Sequence, residues 1–368
     1  MAKRSTNRQA RRKLSKGRFD SAVKLYCERR KDKSHHSLVD NNSIYEEKDD
    51  GIEPPSFFVA RKEAMPVNDI AHQRMVQEAV KKKFGSHKVL LSKRPSHYPE
   101  QAEREFQRVT NAYMQLLNKR LKEYLPQISR AAKAEHLDDA RSDGLLDFLA
   151  KVMHLLVKLA SDLQKDMEEF GLYDRIERIA KNTKRTTSRE WKKDVKATLG
   201  IDLLDDYYEG EFYEELLKKW IEDNVALIKT IPQDTLGEMR GVILDGYRNG
   251  KLTKDIAKEI QHIYGVKKRH AQFIARDQTA KLNAQISRKQ QEDAGVKEYV
   301  WSTSGDSRVR DSHRALNNKR FRWNDPPVVD IKTGRRCHPG EDYQCRCVPL
   351  AMFDYKSIDL PISSNGGG

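Results

Sequence analysis

Near the end of the chain, the stretch 338–347, HPGEDYQCRC, places an imidazole and two thiols close together, with Cys337 directly before it. A further imidazole, His313, lies upstream in GDSRVRDSH. Thiolate and neutral imidazole are the ligands that tetrahedral zinc takes. His313, His338, Cys345 and Cys347 therefore form a candidate metal set, with Cys337 as a competing donor. The gap between the two His residues is not a zinc-finger spacing, and Cys-x-Cys is less specific than Cys-x-x-Cys. A structural metal would suit the segment 332–344, which has few apolar residues to hold it down; structural zinc is worth roughly 10 kcal/mol or more in small domains. Two other readings stay open. One is catalytic: a metal-dependent nuclease or transferase, or a Cys nucleophile paired with His338, although no general base with defined geometry can be named. In the other, Arg308, Asp311 and Arg314 form surface ion pairs, the His residues are solvated and the Cys residues are small buried groups.

The rest of the sequence limits what could position these residues. At 368 residues the chain is long enough for roughly two or three domains. Only Cys27 stands apart from the cluster, so the cysteines do not read as a disulfide framework. Hydrophobic residues make up 37% and charged residues 34%, and no apolar run approaches the roughly 20 residues of a membrane-spanning helix. The basic N-terminus is followed by no apolar segment, which excludes a secretory signal peptide. The net charge is +15 and the pI about 9.4, an excess that favours polyanions, nucleic acid first. Much of it is gathered at the start: Lys3, Arg4, Arg8, Arg11, Arg12, Lys13, Lys16 and Arg18 come with no acid among them. Such a block reads as an arm that binds phosphates without reading sequence.

Periodicity gives a mainly α chain: long helices, then a small α+β C-terminal module with a few short strands and a candidate zinc site. Residues 1–98 read as the basic arm and a weakly structured region, with short helices near 19–30 and 69–84. Residues 99–210 are helical. In 106–125, Phe106, Val109, Tyr113, Leu117 and Leu121 fall on one stripe, and Pro126 is expected to end or kink the helix. A second long helix has Asp143 as candidate cap and Gly171 as stop, and His154 within it reads as packed or partly exposed rather than as a ligand. One or two shorter helices in 175–199 are anchored by Trp191. Residues 211–294 divide into helices at 211–231, stopped by Pro232, at 233–247, at 254–264, capped by Thr253, and from 267 to about 294, closed by Gly295. Residues 295–355 form the His/Cys module, with strands in VKEYVWSTS, KRFRW and CRCVPLAMF; residues 356–368 are a tail.

One ordered set of residues is more specific than any of its parts: Ala275, Arg276, Asn283, Gly295, Val296, Tyr299, Trp301, Asp306, Arg308, Arg310, His313, Lys319, Phe321, His338, Pro339, Cys345, Arg346 and Cys347. This pattern resembles the phage Mu protein F-like, or head-morphogenesis, minor capsid proteins, over about 211–349. Many relatives carry Cys-x-x-Cys where this chain has Arg310 and His313; arginine cannot bind zinc, and the candidate set becomes His313 with His338, Cys345 and Cys347. The usual glycine before Lys-x-Phe is Asn318, which also tolerates a left-handed turn. The resemblance implies a minor capsid protein of a tailed phage with no enzymatic activity. It implies a place inside the procapsid and virion, host cytoplasm during assembly, and association with the portal protein and with scaffold or major capsid protein. It also implies non-specific contact with double-stranded DNA. A stand-alone nucleic-acid-binding protein and the metal-dependent enzyme are the alternatives.

Overall fold

The computed structural model describes residues 70–85, 89–135, 142–203, 210–249 and 251–360. The basic arm, the expected helix near 19–30, Cys27 and the last eight residues of the tail lie outside the described residues. Among the described residues there are seven helices and a small antiparallel sheet. The helices are α1 (Ile70–Phe84), α2 (Glu100–Glu135), α3 (Ser142–Glu169), α4 (Leu172–Leu199), α5 (Glu211–Arg248), α6 (Thr253–Asp293) and the short α7 (Asp311–Leu316). Among the described residues no helix is long and apolar enough to cross a membrane.

The helices are longer than their prolines and glycines suggest. Pro126 lies inside α2 and Pro232 inside α5. An internal proline removes one backbone hydrogen bond and costs about 3 kcal/mol, yet packing on both sides holds each helix together. Around Pro126, Tyr124 and Ile128 are buried, and α2 is tied to α3 by Tyr124 Oη donating to Asp162 at 2.5 Å and by the Arg120 guanidinium forked onto Asp166 at 2.7 Å. Around Pro232, Ile231, Thr235 and Leu236 are buried. The expected break near 265 is absent as well: α6 runs unbroken through Gly265, with Ile256 and Ile260 buried before it and Ala271 and Ile274 after it. The expected caps also differ. Asp143 lies within α3, and Thr253 is the first residue of α6, after Leu252. Gly171 does stop α3, in a left-handed conformation with φ 64°. The segment 175–199 belongs to one helix, α4, and Trp191 anchors it by stacking on Phe353 at 5.8 Å. His154 is exposed.

Helix α6 is the spine. It packs against α2, α4 and α5, and its last turns carry the sheet. The strands β1 (Val89–Leu91), β2 (Glu298–Ser302), β3 (Arg320–Arg322) and β6 (Val348–Asp354) form an antiparallel sheet in the order β1-β6-β2-β3. A small hairpin, β4 (Val328–Asp330) with β5 (Arg335–Arg336), stands beside it, between the second and third of the expected strands. Strand β1 is too short to announce itself by alternation; it closes the sheet by pairing Leu90 with Phe353. The turn from α6 into β2 requires Gly295: φ is 70°, and a Cβ there would lie 1.7 Å from the Ser357 carbonyl oxygen. Along β2 the alternation places Tyr299 and Trp301 inward, both fully buried, opposite Ala351 and Pro349.

Candidate metal centre

Two elements meet below Trp301. Helix α7 presents His313, and the chain leading into β6 presents Cys345 and Cys347. The ligand atoms of these three buried residues lie within 4.8 Å of one another. His313 Nδ1 is 3.4 Å from Cys345 Sγ and 3.6 Å from Cys347 Sγ. Zinc bonds of about 2.3 Å to sulfur and about 2.0 Å to nitrogen at a tetrahedral angle put N and S about 3.5 Å apart. The cluster therefore already has the edge length of a metal tetrahedron and can hold a metal ion.

The other imidazole nitrogen supports that fit. His313 Nε2 is 3.0 Å from Asp342 Oδ2, the carboxylate–histidine arrangement that orients metal-bound imidazoles. Asp342 is 2% exposed and is surrounded by cations: Arg310 Nη1 donates to Oδ2 at 3.0 Å, and the Arg335 guanidinium forms an ion pair with it, Nη2 lying 3.2 Å from Oδ1. Burial opposes its charge, but the His313 hydrogen bond and the two guanidiniums hold its carboxyl below the usual range. Burial also works against a charged His313. Its hydrogen bonds to Asp342 and Cys345 outweigh that and push it up to about 9. The two thiols share their hydrogen-bonding proton unequally. Cys345 is pushed up by its bond to Cys347 and by burial, and Cys347 is drawn down by the same bond and by the Trp301 indole.

His338 is held elsewhere. Its Nδ1 lies 2.9 Å from Tyr299 Oη, the Trp323 ring is 4.9 Å away, and its backbone N–H donates to Glu341 Oε2 at 2.8 Å. Burial holds its pKa below the usual histidine value. The structure thus brings together His313, Cys345 and Cys347 and places His338 as a packing group on the same module. Cys337 is half-buried against this core, its thiol pushed up to about 11 by burial.

Two of the remaining motif residues tie α6, which carries the module, to its neighbours in the bundle. Arg276 Nε reaches Glu103 on α2 at 3.0 Å, and Asn283 Oδ1 accepts from Thr187 on α4 at 2.8 Å. Asp306 and Arg308 pair with each other at the surface. Two acids not singled out by sequence prove central. One is Asp342; the other is Asp277, buried on α6, whose Oδ1 accepts the backbone N–H of Gln344 at 2.9 Å. Their signal in the sequence is an acid inside each of two motifs, ARD and GED.

Residues 238–350, from the second half of α5 into β6, match the model of the family described as Phage Mu protein F like protein. This segment is similar to the phage Mu protein F-like family. That family is one of phage structural and morphogenesis proteins. An uncharacterized protein of Haemophilus influenzae (strain ATCC 51907 / DSM 11121 / KW20 / Rd) is 31% identical over 202 residues, which cover 53% of this chain and 44% of that one. The chain thus spans less than half the length of this curated relative. No solved structure matches the chain.

Proposed function

We propose that the chain is a minor capsid, head-morphogenesis protein of a tailed phage. In this reading it acts inside the procapsid and virion head and associates with the portal protein. It contacts DNA through basic surface without reading sequence. The observation that carries the reading is that the family match and the ordered motif coincide on one segment, where Arg276 and Asn283 tie α6 to α2 and α4 and Arg310 and His313 meet on Asp342. The metal is read as structural zinc on His313, Cys345 and Cys347; the divisions 1–98, 99–210, 211–294 and 295–355 are read as arm, helical region, helical part of the family domain and fastened module.

Burial favours a structural metal over a catalytic one. A catalytic zinc keeps an open position for substrate, whereas His313, Cys345 and Cys347 are 2%, 4% and 5% exposed. The nuclease alternative predicts metal-dependent cutting of plasmid DNA that vanishes in His313→Ala. For the assembly reading, the protein is isolated from infected cells with its associated proteins. Recovery of portal protein and procapsids is expected; repeated isolation without either, from cells that contain both, overturns it.

A further inference from the structure

Helix α4 carries nine basic and four acidic residues. Two of the acids, Glu190 and Asp194, are buried. Arg178, Lys181, Arg185, Arg189, Lys192 and Lys196 recur at spacings of three and four. At 100° per residue they fall within an arc of about 80°, and at 1.5 Å per residue they extend over about 27 Å. All but the half-buried Lys192 are exposed. The opposite side of α4 is buried: Ile176, Ile179, Ala180, Trp191 and Val195 face the bundle.

We infer that this crest of α4 is a binding surface for the phosphate backbone of double-stranded DNA. The inference deepens the proposed DNA contact by giving it a place on the folded part of the chain. Successive cations on a helix face lie 5–6 Å apart, so a line of six can follow a run of backbone phosphates, and neutralising each phosphate releases counterions. Existing partners do not prevent this. Lys181 pairs with Glu177 at 2.9 Å and Lys196 with Asp202 at 2.8 Å, and both lysines are largely exposed; exposed pairs hold weakly. An anionic membrane fits less well. A helix lying on a membrane inserts its apolar face, and that face of α4 is occupied by the bundle. The groove between α4 and the start of α5 has Glu211, Glu214 and Glu215 on its far wall. These acids keep a polyanion on the crest rather than in the groove.

The test uses the full chain and random-sequence duplex DNA, with binding followed as salt is raised. In the variant Arg178→Gln, Lys181→Gln, Arg185→Gln and Arg189→Gln, the loss of four phosphate contacts should lower the log–log salt slope by about 3–4 and weaken binding at least tenfold at about 100 mM salt. A Lys181→Arg, Arg185→Lys variant, which keeps every charge, should bind as the parent does. Circular dichroism identifies a variant that fails to fold; in that case Arg178→Gln with Arg189→Gln alone should lower the slope by about 2. If the Gln variants keep the parent slope while deletion of residues 1–18 abolishes binding, the crest inference is wrong and the DNA reading survives on the arm. If the parent itself shows no salt-dependent DNA binding, both fall. Loss of binding to phosphatidylserine vesicles, with DNA binding intact, would assign the crest to membrane and overturn the inference.

Discussion

The helical bundle and the His/Cys module are held by different physics. In the bundle, Phe106, Leu117, Leu159, Ile176 and Met239 are at most 1% exposed and belong to one continuous apolar core. In the module, the apolar core is six buried residues, two of them cysteines, set around a buried carboxylate with two guanidiniums and an imidazole. Apolar burial is non-directional and tolerates repacking. A polar hub does not: each member left unpaired in a low dielectric carries its own desolvation cost. A mutation in the bundle is thus expected to weaken the whole helical unit, and one in the module to fail locally.

The largest effect should come from the bundle. Phe106→Ala removes a fully buried ring that packs edge-on against Trp220 at 5.7 Å; a loss of about 3–5 kcal/mol is expected, read as a lower denaturant midpoint for the whole helical signal. In the module, Asp342→Ala strands Arg310, Arg335 and His313 together. Removing one partner of a buried ionic group costs about 3–5 kcal/mol, but here the loss should be local. Amide exchange should accelerate in 311–347 while α2 and α3 stay protected. If Asp342→Ala instead lowers the bundle's midpoint as far as Phe106→Ala does, the two regions form one cooperative unit and the contrast fails.

Metal sharpens the same contrast. About one equivalent of zinc per chain is expected by elemental analysis, falling in Cys345→Ser; chelation should loosen the module and leave the helices in place. A metal-free protein with full amide protection over 311–347 would rule out a structural metal. The direction of pH dependence adds an independent reading. Without metal, His313 is raised in the folded state from an ordinary value near 6.5 to about 9. The stability it supplies is then fully present below about 6.5 and is lost as pH rises through about 9. Asp342, held low, acts in the opposite sense, and its contribution is lost as pH falls through its depressed range. With metal bound, protons compete for His313 and the thiols, so the module should weaken as pH falls toward 5. Loosening on the alkaline side without metal and on the acid side with it is the expected pair of results.

The same division governs what was legible in the sequence. The apolar stripe of α2 was readable because helical periodicity reports which face is buried. The lengths of α5 and α6 were not, because a proline or glycine has a fixed local cost while the packing that outweighs it comes from distant residues such as those around Ile231 and Ile274. In the module the thiols and His313 were visible as chemistry. Their separation from His338 was not, since it depends on Tyr299, brought near His338 only by the sheet register. Asp342 was hidden for a related reason: a carboxylate within GED looks like surface until Arg310 and Arg335 arrive from other elements.

The smallest effect tests a turn that the sequence did resolve. Asn318 has φ 62°, the left-handed conformation expected of it. Its backbone N–H donates to the Trp301 carbonyl at 2.8 Å, and Trp301 N–H donates to the Lys319 carbonyl at 2.9 Å. The turn therefore fixes the indole that covers the thiols. Glycine there relieves the strain of a positive φ but gives the unfolded chain more freedom, two terms of similar size and opposite sign. Asn318→Gly should thus change stability by less than about 1 kcal/mol. Asn318→Val, β-branched and poorly suited to this region, should cost about 1–2 kcal/mol. The cost should appear in the module's amide exchange and in Trp fluorescence rather than in the helical midpoint. A Val variant that shifts only the helical signal would mean that the turn supports the bundle and not the metal centre.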